Sequence, residues 1–177
     1  MNEMSAINLA KITEGIRASV RPVNILWQAP DTIAFVARGR AGRSEFHRDP
    51  SDEVMYMISG DMNLHYLTPE GEEKVAVVKQ GEIIYCPAGT PHSPRFPTDA
   101  FLLVLERKRR PEEMDRFSWY CDNCHTTLYE TVKHVRDYND DPVTKVYEEF
   151  NSDPAHRTCS KCGHVAPSTA KPAAAPA

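Results

Sequence analysis

The chain reads as mainly β, a jelly-roll or small barrel of short antiparallel strands with a metal-binding extension towards the C-terminus. Three observations predict this. Between Thr32 and Glu106 the sequence runs in short β-branched and aromatic stretches, the composition of strands. Glycine-bearing turns separate those stretches, and many short strands with regular turns are the signature of a closed or double-sheet β architecture. Near the C-terminal end two C-x-x-C pairs, Cys121/Cys124 and Cys159/Cys162, mark a module of another kind.

The 177 residues give room for one main core and an appendage. A hydrophobic share of 41% beside 26% charged residues suits a soluble chain that buries a real core. The expected organisation is an N-terminal helix and lead-in strand over 1–31, a barrel over 32–110, a four-cysteine module over 111–166 and a disordered tail over 167–177. The helical spacing of Ile7, Ala10, Lys11 and Glu14 predicts a helix from Ile7 to Ile16. Strands are expected at Thr32 to Ala37, Val54 to Ile58, Met62 to Leu67, Lys74 to Val78, Glu82 to Tyr85 and Phe101 to Glu106. Ser59-Gly60-Asp61 and Pro69-Glu70-Gly71 read as hairpin connections, because glycine accepts the positive φ of tight turns. Asp141 before Pro142 predicts an N-cap with proline at the first helical position, opening a helix to Phe150. From Pro167 to Ala177 only Ala, Pro, Ser, Thr and Lys occur, a composition that cannot build a core.

Net charge is −4 and the pI about 6.0, with one short basic run at Arg107 to Arg110; this argues against nucleic acid as a partner. No stretch approaches the ~18 apolar residues of a membrane span, and Met1 to Val20 lacks the apolar centre of a signal peptide. The expectation is a cytoplasmic protein, where closely paired cysteines bind metal more often than they form disulfides.

His47 and Glu53 stand six apart, with Gly60 following; further on come Gly81, Pro87, Gly89 and His92. Together these resemble the two cupin motifs. The second is complete up to its histidine. The first departs at Asp49, where many cupins carry another histidine. Two histidines and one carboxylate remain, the set that leaves positions open on non-heme Fe(II) for substrate and dioxygen. An empty, vestigial cupin is the alternative, and Asp49 before Pro50 also reads as an ordinary turn residue.

The cysteine pairs lie 34 residues apart. Each places two thiolates on one turn, and two such turns supply a tetrahedral four-sulfur site for Zn or a rubredoxin-like Fe. Four thiolates leave no open position, so the expected role is structural. His125 and His164 follow their cysteines as alternative ligands, and Cys86 reads as a core residue.

The combination resembles the bacterial 3-hydroxyanthranilate 3,4-dioxygenases. The carriers run from Arg21 to Pro167: Val23 with Trp27-Gln28, Arg43 four residues before His47, His47-x-Asp49-Pro50, Glu53, Pro91-His92-Ser93-Pro94, Val104-Leu105-Glu106-Arg107, Trp119-Tyr120-Cys121 and the second cysteine pair. The resemblance implies a cupin jelly-roll β-barrel and an Fe(II)-dependent, extradiol-type cleavage of a carboxylated ortho-aminophenol by dioxygen, converting 3-hydroxyanthranilate to 2-amino-3-carboxymuconate semialdehyde in tryptophan catabolism towards NAD. It implies a homodimer, with catalytic iron on His47, Glu53 and His92. Arg43 then binds the substrate carboxylate and Glu106 accepts a hydrogen bond or proton from its hydroxyl or amine. Arg43 and His47, an even number of residues apart, can face one cavity if the segment is extended.

One position departs from that pattern. The family carries a second arginine where this chain has Phe96, and Arg95 stands one residue earlier. Neighbouring strand residues face opposite ways, so Arg95 reaches a substrate only through a local change of register. An isomeric aminohydroxybenzoate or a differently substituted aminophenol therefore stays open as substrate. So do a non-catalytic ligand-sensing cupin and another cupin enzyme, an isomerase or a thiol oxygenase.

Overall fold

The structure, a computed structural model, describes residues 4–168; the expected tail lies outside them except for Pro167 and Ser168. Helix α1 (Leu9–Arg17) is followed by β1 (Val23–Gln28), β2 (Thr32–Arg38), β3 (Phe46–Arg48), β4 (Glu53–Ser59), β5 (Met62–Leu67), β6 (Glu73–Val78), β7 (Ile83–Cys86), β8 (His92–Arg95), β9 (Phe101–Arg107), β10 (Asp115–Tyr120) and β11 (Thr127–Lys133). A single 3-10 turn (Tyr138–Asp140) then leads to α2 (Pro142–Ser152) and α3 (Pro154–Arg157).

The strands form two antiparallel sheets, ordered β1-β2-β9-β4-β7 and β11-β10-β3-β8-β5-β6. Alternation along β4 sends Glu53, Met55 and Met57 inward, because successive strand side chains take opposite faces. Met55 and Met57 meet Met62, Leu64, Leu102 and Val104 between the sheets. A second cluster, built on Phe117, Trp119, Tyr147 and Phe150, lies between β10 and α2. A third packs Ile16 of α1 on Val36 and Phe101.

The expected strands are present and the differences are local. Helix α1 starts at Leu9, two residues later than its periodicity predicts, because the Asn8 side chain accepts the Lys11 amide and caps it there. The turn at Thr68 to Gly71 joins the paired strands β5 and β6, with Gly71 at φ +85°. Ser59-Gly60-Asp61 is no hairpin: β4 and β5 belong to different sheets, and the turn carries the chain from one to the other. Gly60 is needed there twice over, by its φ of +73° and because a Cβ would sit 2.5 Å from Ala100 Cβ. Strands β10 and β11 join the six-stranded sheet through β3, so the sheet extends beyond residue 110 into the stretch that the sequence sets apart as the cysteine module. Helix α2 begins as expected, Asp141 capping the Thr144 amide with Pro142 in the first turn.

Candidate functional site

Register alone assembles the first site. In the six-stranded sheet His47 of β3 lies opposite His92 of β8, and in the facing sheet Glu53 of β4 lies opposite Glu106 of β9. Glu53 continues the inward row of Met55 and Met57 to the end of its strand, which turns a core position into a buried carboxylate. Ligand-type atoms of His47, Glu53 and His92 all fall within 4.8 Å of one another. The His47 ring stacks on Phe117 at 4.6 Å, which fixes its plane.

These residues fit a metal ion. His92 Nδ1 donates to the Thr90 carbonyl at 2.9 Å, since a carbonyl only accepts, and this fixes the tautomer and turns Nε2 towards the site. Nε2 faces Glu53 Oε1 at 3.1 Å, a buried oxygen with no hydrogen-bond donor among the described residues. A neutral imidazole lone pair beside a carboxylate asks for a cation between them. Without a metal a proton takes that place: burial disfavours a charged His92, yet Glu53 and Cys86 outweigh it and hold its pKa well above the usual histidine range, and a bound ion would replace that proton. In the other half of the site His47 Nε2 lies 2.7 Å from Asp115 Oδ2. A metal ion held by His47 would compete with Asp115 for that nitrogen.

Behind the ligands lies a buried charge network that the sequence did not announce. Arg109 donates to both oxygens of Asp115 at 2.8 and 2.7 Å, to Asp49 at 2.6 Å, to Glu106 at 3.1 Å and to the Tyr138 hydroxyl at 2.7 Å. Burial raises the Glu106 pKa well above the usual carboxylate range, and Asp49 and Glu53 raise it further. Burial acts the same way on Asp49, but a hydrogen bond from Glu106 and the charge of Arg109 overcome it and bring Asp49 down to about 2. Asp49, Glu106 and Asp115 share the one guanidinium of Arg109, and Glu53 lies beside Asp49 and Glu106, so a divalent ion on His47, Glu53 and His92 would add positive charge where carboxylates crowd together. Asp49 is thus a buried network member as well as a turn residue, its Oδ1 accepting from the Ser51 amide.

Arg43, Glu106 and the three ligand-type residues line one cavity, walled by Met55, Phe96, Leu102 and Val104. Arg43 reaches it from the loop ahead of β3, which starts at Phe46, and shares the cavity with His47 as their even spacing allows. Its Nε donates to Glu45 Oε1 at 2.7 Å. Arg40 lines the same cavity, held by Asp141 and Thr144 at 2.7 Å each. Arg95 is not brought to the cavity. It closes β8, takes Ser93 Oγ at 3.2 Å and lies over the Phe46 ring, while the next side chain, Phe96, lines the cavity instead. Arg95 thus lies on the face away from the cavity, as the alternation described above gives it.

At the second site the four cysteine sulfurs also lie within 4.8 Å of one another. Cys121 and Cys162 are 3.6 Å apart, and Cys124 and Cys159 3.5 Å. These distances are too long for disulfides and close to the roughly 3.8 Å edge of a tetrahedron with Zn–S bonds of about 2.3 Å. The two knuckles repeat one backbone pattern: His125 N donates to Cys121 O as Gly163 N does to Cys159 O, and Cys121 N bonds Thr126 O as Cys159 N bonds His164 O. His125 and Gly163 both take positive φ at the matching position. Hydrogen bonds from Thr126 lower the Cys124 thiol to about 6, favouring the thiolate that binds metal. His125 and His164 stand outside the cluster, and Cys86 is buried as expected.

A profile described as 3-hydroxyanthranilic acid dioxygenase matches residues 1–151. The chain belongs to the 3-hydroxyanthranilic acid dioxygenase family. Relatives named 3-hydroxyanthranilate 3,4-dioxygenase include one from Bacillus cereus, 36% identical with 93% of each chain covered. Another, from Xanthomonas euvesicatoria, is 33% identical over 91% of this chain and 92% of its own. Among solved structures, BH2720 from Bacillus halodurans is similar with a TM-score of 0.50 at 17% identity, covering 61% of this chain and 83% of that one. A cupin-2 domain containing protein from Shewanella frigidimarina gives 0.48 at 14% identity, over 58% and 94%. The family profile thus takes in the barrel and the first cysteine knuckle, and the second knuckle lies beyond it. Sequence reasoning missed Arg109, Asp115, Glu45 and Tyr147. Arg109 sat inside a run that reads as solvated charge, and nothing near the other three marks them out.

Proposed function

We propose that the protein is an iron(II)-dependent ring-cleaving dioxygenase of a carboxylated ortho-aminophenol, with 3-hydroxyanthranilate as first substrate and 2-amino-3-carboxymuconate semialdehyde as product. The supporting observation is the convergence of His47, Glu53 and His92 with Arg43 and Glu106 on one cavity, in a chain whose relatives carry that activity in their names. Iron(II) on those three ligands supplies open coordination positions for substrate and dioxygen. The protein's own residues do the rest. Arg43 binds the substrate carboxylate through a charge-assisted contact, its Nη atoms left for substrate while Nε stays on Glu45. Glu106, held by Arg109 through Oε2, presents Oε1, which has no hydrogen-bond partner among the described residues, to accept a hydrogen bond from the substrate hydroxyl or amine. Phe96, Leu102 and Val104 hold the ring and exclude water.

In this reading the four cysteines hold a second iron or a zinc in a structural role, and the chain works in the cytoplasm as a homodimer in tryptophan catabolism towards NAD. No described helix is long and apolar enough to cross a membrane. Phe96 in the cavity supports a second reading of the specificity, an isomeric aminohydroxybenzoate or an aminophenol that needs one arginine where the family pattern has two. Oxygen uptake by anaerobically Fe(II)-loaded protein, measured against a panel of aminohydroxybenzoates and 2-aminophenol, tests both. Uptake is expected with 3-hydroxyanthranilate above the others; a different isomer in first place selects the second reading, and no uptake at all returns the protein to the class of ligand-sensing cupins.

A further inference from the structure

Two of the three arginines that line the cavity of the ligand cluster, Arg40 and Arg43, are held by one helix, and that helix lies between the two cysteine pairs in the chain. At its start, Asp141 and Thr144 grip Arg40 at 2.7 Å each. One and a half turns on, Tyr147 reaches the loop that carries Arg43. Its hydroxyl donates to Glu45 Oε2 and accepts the Ser44 amide at 2.8 Å, while Glu45 Oε1 takes Arg43 Nε at 2.7 Å. Glu45 is fully buried, so these two partners fix its rotamer and, through it, the direction of the guanidinium. Burial and the Glu45 charge raise the Tyr147 pKa, and the hydroxyl remains a donor.

The helix is itself held between the two cysteine knuckles in the chain. Trp119, two residues before Cys121, stacks on Phe150 at 4.4 Å and meets Tyr147 edge-on at 5.4 Å. Helix α2 therefore sits on an aromatic platform whose ends run into Cys121 on one side and, through α3, into Cys159 on the other.

We infer that Tyr147 and Glu45 are positioning residues for Arg43, and that through them helix α2 and the cysteine module set the affinity of the cavity for a carboxylated aromatic ligand. The inference rests on Arg43 as the carboxylate contact. Neither residue touches the reacting atoms, so neither is catalytic. Their removal lets the Arg43 side chain leave its bound direction, which weakens a contact that only an anionic ligand makes and leaves the metal ligands and ring contacts in place.

The test is anaerobic titration calorimetry on the Fe(II)-loaded protein, with 3-hydroxyanthranilate and with 2-aminophenol, which is the same ring without the carboxylate. Wild type, Tyr147→Phe, Glu45→Gln and Arg43→Ala are compared, with steady-state kinetics alongside. Tyr147→Phe is expected to weaken 3-hydroxyanthranilate about fivefold, the effect of one ordinary hydrogen bond, to raise KM more than it lowers kcat, and to leave 2-aminophenol within twofold. Glu45→Gln keeps the shape and the Tyr147 contact but weakens the hold on Arg43, so it repeats the selective loss and carries the test if Tyr147→Phe does not fold. Selective loss in Arg43→Ala with unchanged or unselective binding in both other variants overturns the inference alone. Equal loss of both ligands in Arg43→Ala overturns the reading of Arg43, and the inference with it.

Discussion

The barrel site and the cysteine site are built in opposite ways from the same chain. His47, Glu53, His92 and Glu106 come from four strands in two sheets, and only the register of β3 with β8 and of β4 with β9 brings them together. The cysteines come from two short knuckles that repeat one hydrogen-bond pattern, each able to form locally before the two meet. The barrel set offers three donors and a cavity; the cysteine set offers four sulfurs and closes on itself. An open set suits exchange and chemistry, and a closed set suits stability. The two sites are nevertheless joined, because helix α2 between the knuckles supplies the residues that hold Arg40 and Arg43.

That contrast breaks first, and most completely, at Glu53. Glu53→Ala is expected to abolish turnover and the exchangeable metal together while the four-cysteine metal stays, as read by metal analysis beside oxygen uptake; full activity at normal iron loading would remove Glu53 from the site. Cys159→Ser should do the reverse. A closed thiolate site contributes its binding energy to the folded state, so yield and thermal midpoint fall sharply, and the soluble fraction still turns over at saturating substrate. Folded, iron-loaded protein without turnover would contradict the structural role of the cysteines.

Smaller effects sharpen the comparison. Arg109→Met leaves Asp49, Asp115 and Glu106 buried without their guanidinium, and the loss of one partner from a buried ionic group costs about 3 to 5 kcal/mol; urea unfolding of the metal-free protein measures it, and a change below about 1 kcal/mol would show that the carboxylates relax by taking up protons. Arg43→Ala should raise KM for a carboxylated substrate roughly ten- to a hundredfold, in keeping with about 1.5 to 3 kcal/mol for a charged hydrogen bond. A decarboxylated substrate should be nearly indifferent, and equal losses would assign Arg43 to the fold.

How much of this was legible depended on whether the signal was local. The six strands expected between Thr32 and Glu106 and the cap at Asp141 are written in short-range composition, and the structure has them within a residue or so, whereas the short β3 and β8 that carry His47 and His92 were not among them. The cysteine knuckles are legible for the same reason. His47, Glu53 and His92 were visible through motif spacing, although what unites them in space is register. The turn at Gly60 was misread because a glycine turn looks alike whether it closes a hairpin or crosses between sheets. Strands β10 and β11 were hidden, since Asp115 to Tyr120 carries charge and cysteine-module residues that mask the alternation. Arg109 shows the limit most clearly. A guanidinium in a basic run reads as solvent-facing until Asp49, Glu106 and Asp115 close around it, and although Glu106 and Asp115 are near in sequence, only the fold turns them inward and brings Asp49 from sixty residues away.

The aromatic platform under α2 also has an optical consequence. The chain holds two tryptophans, and they lie in opposite surroundings: Trp27 on β1 is 41% exposed, whereas Trp119 is 2% exposed within the stack of Phe150, Tyr147 and Tyr129. Trp119 should therefore emit at short wavelength and be shielded from iodide, and Trp27 should emit at long wavelength and be quenched. Because Trp119 is two residues from Cys121, undocking of the cysteine module moves its emission to the red while the barrel is still folded. Intrinsic fluorescence thus separates loss of the module from loss of the barrel without any added label.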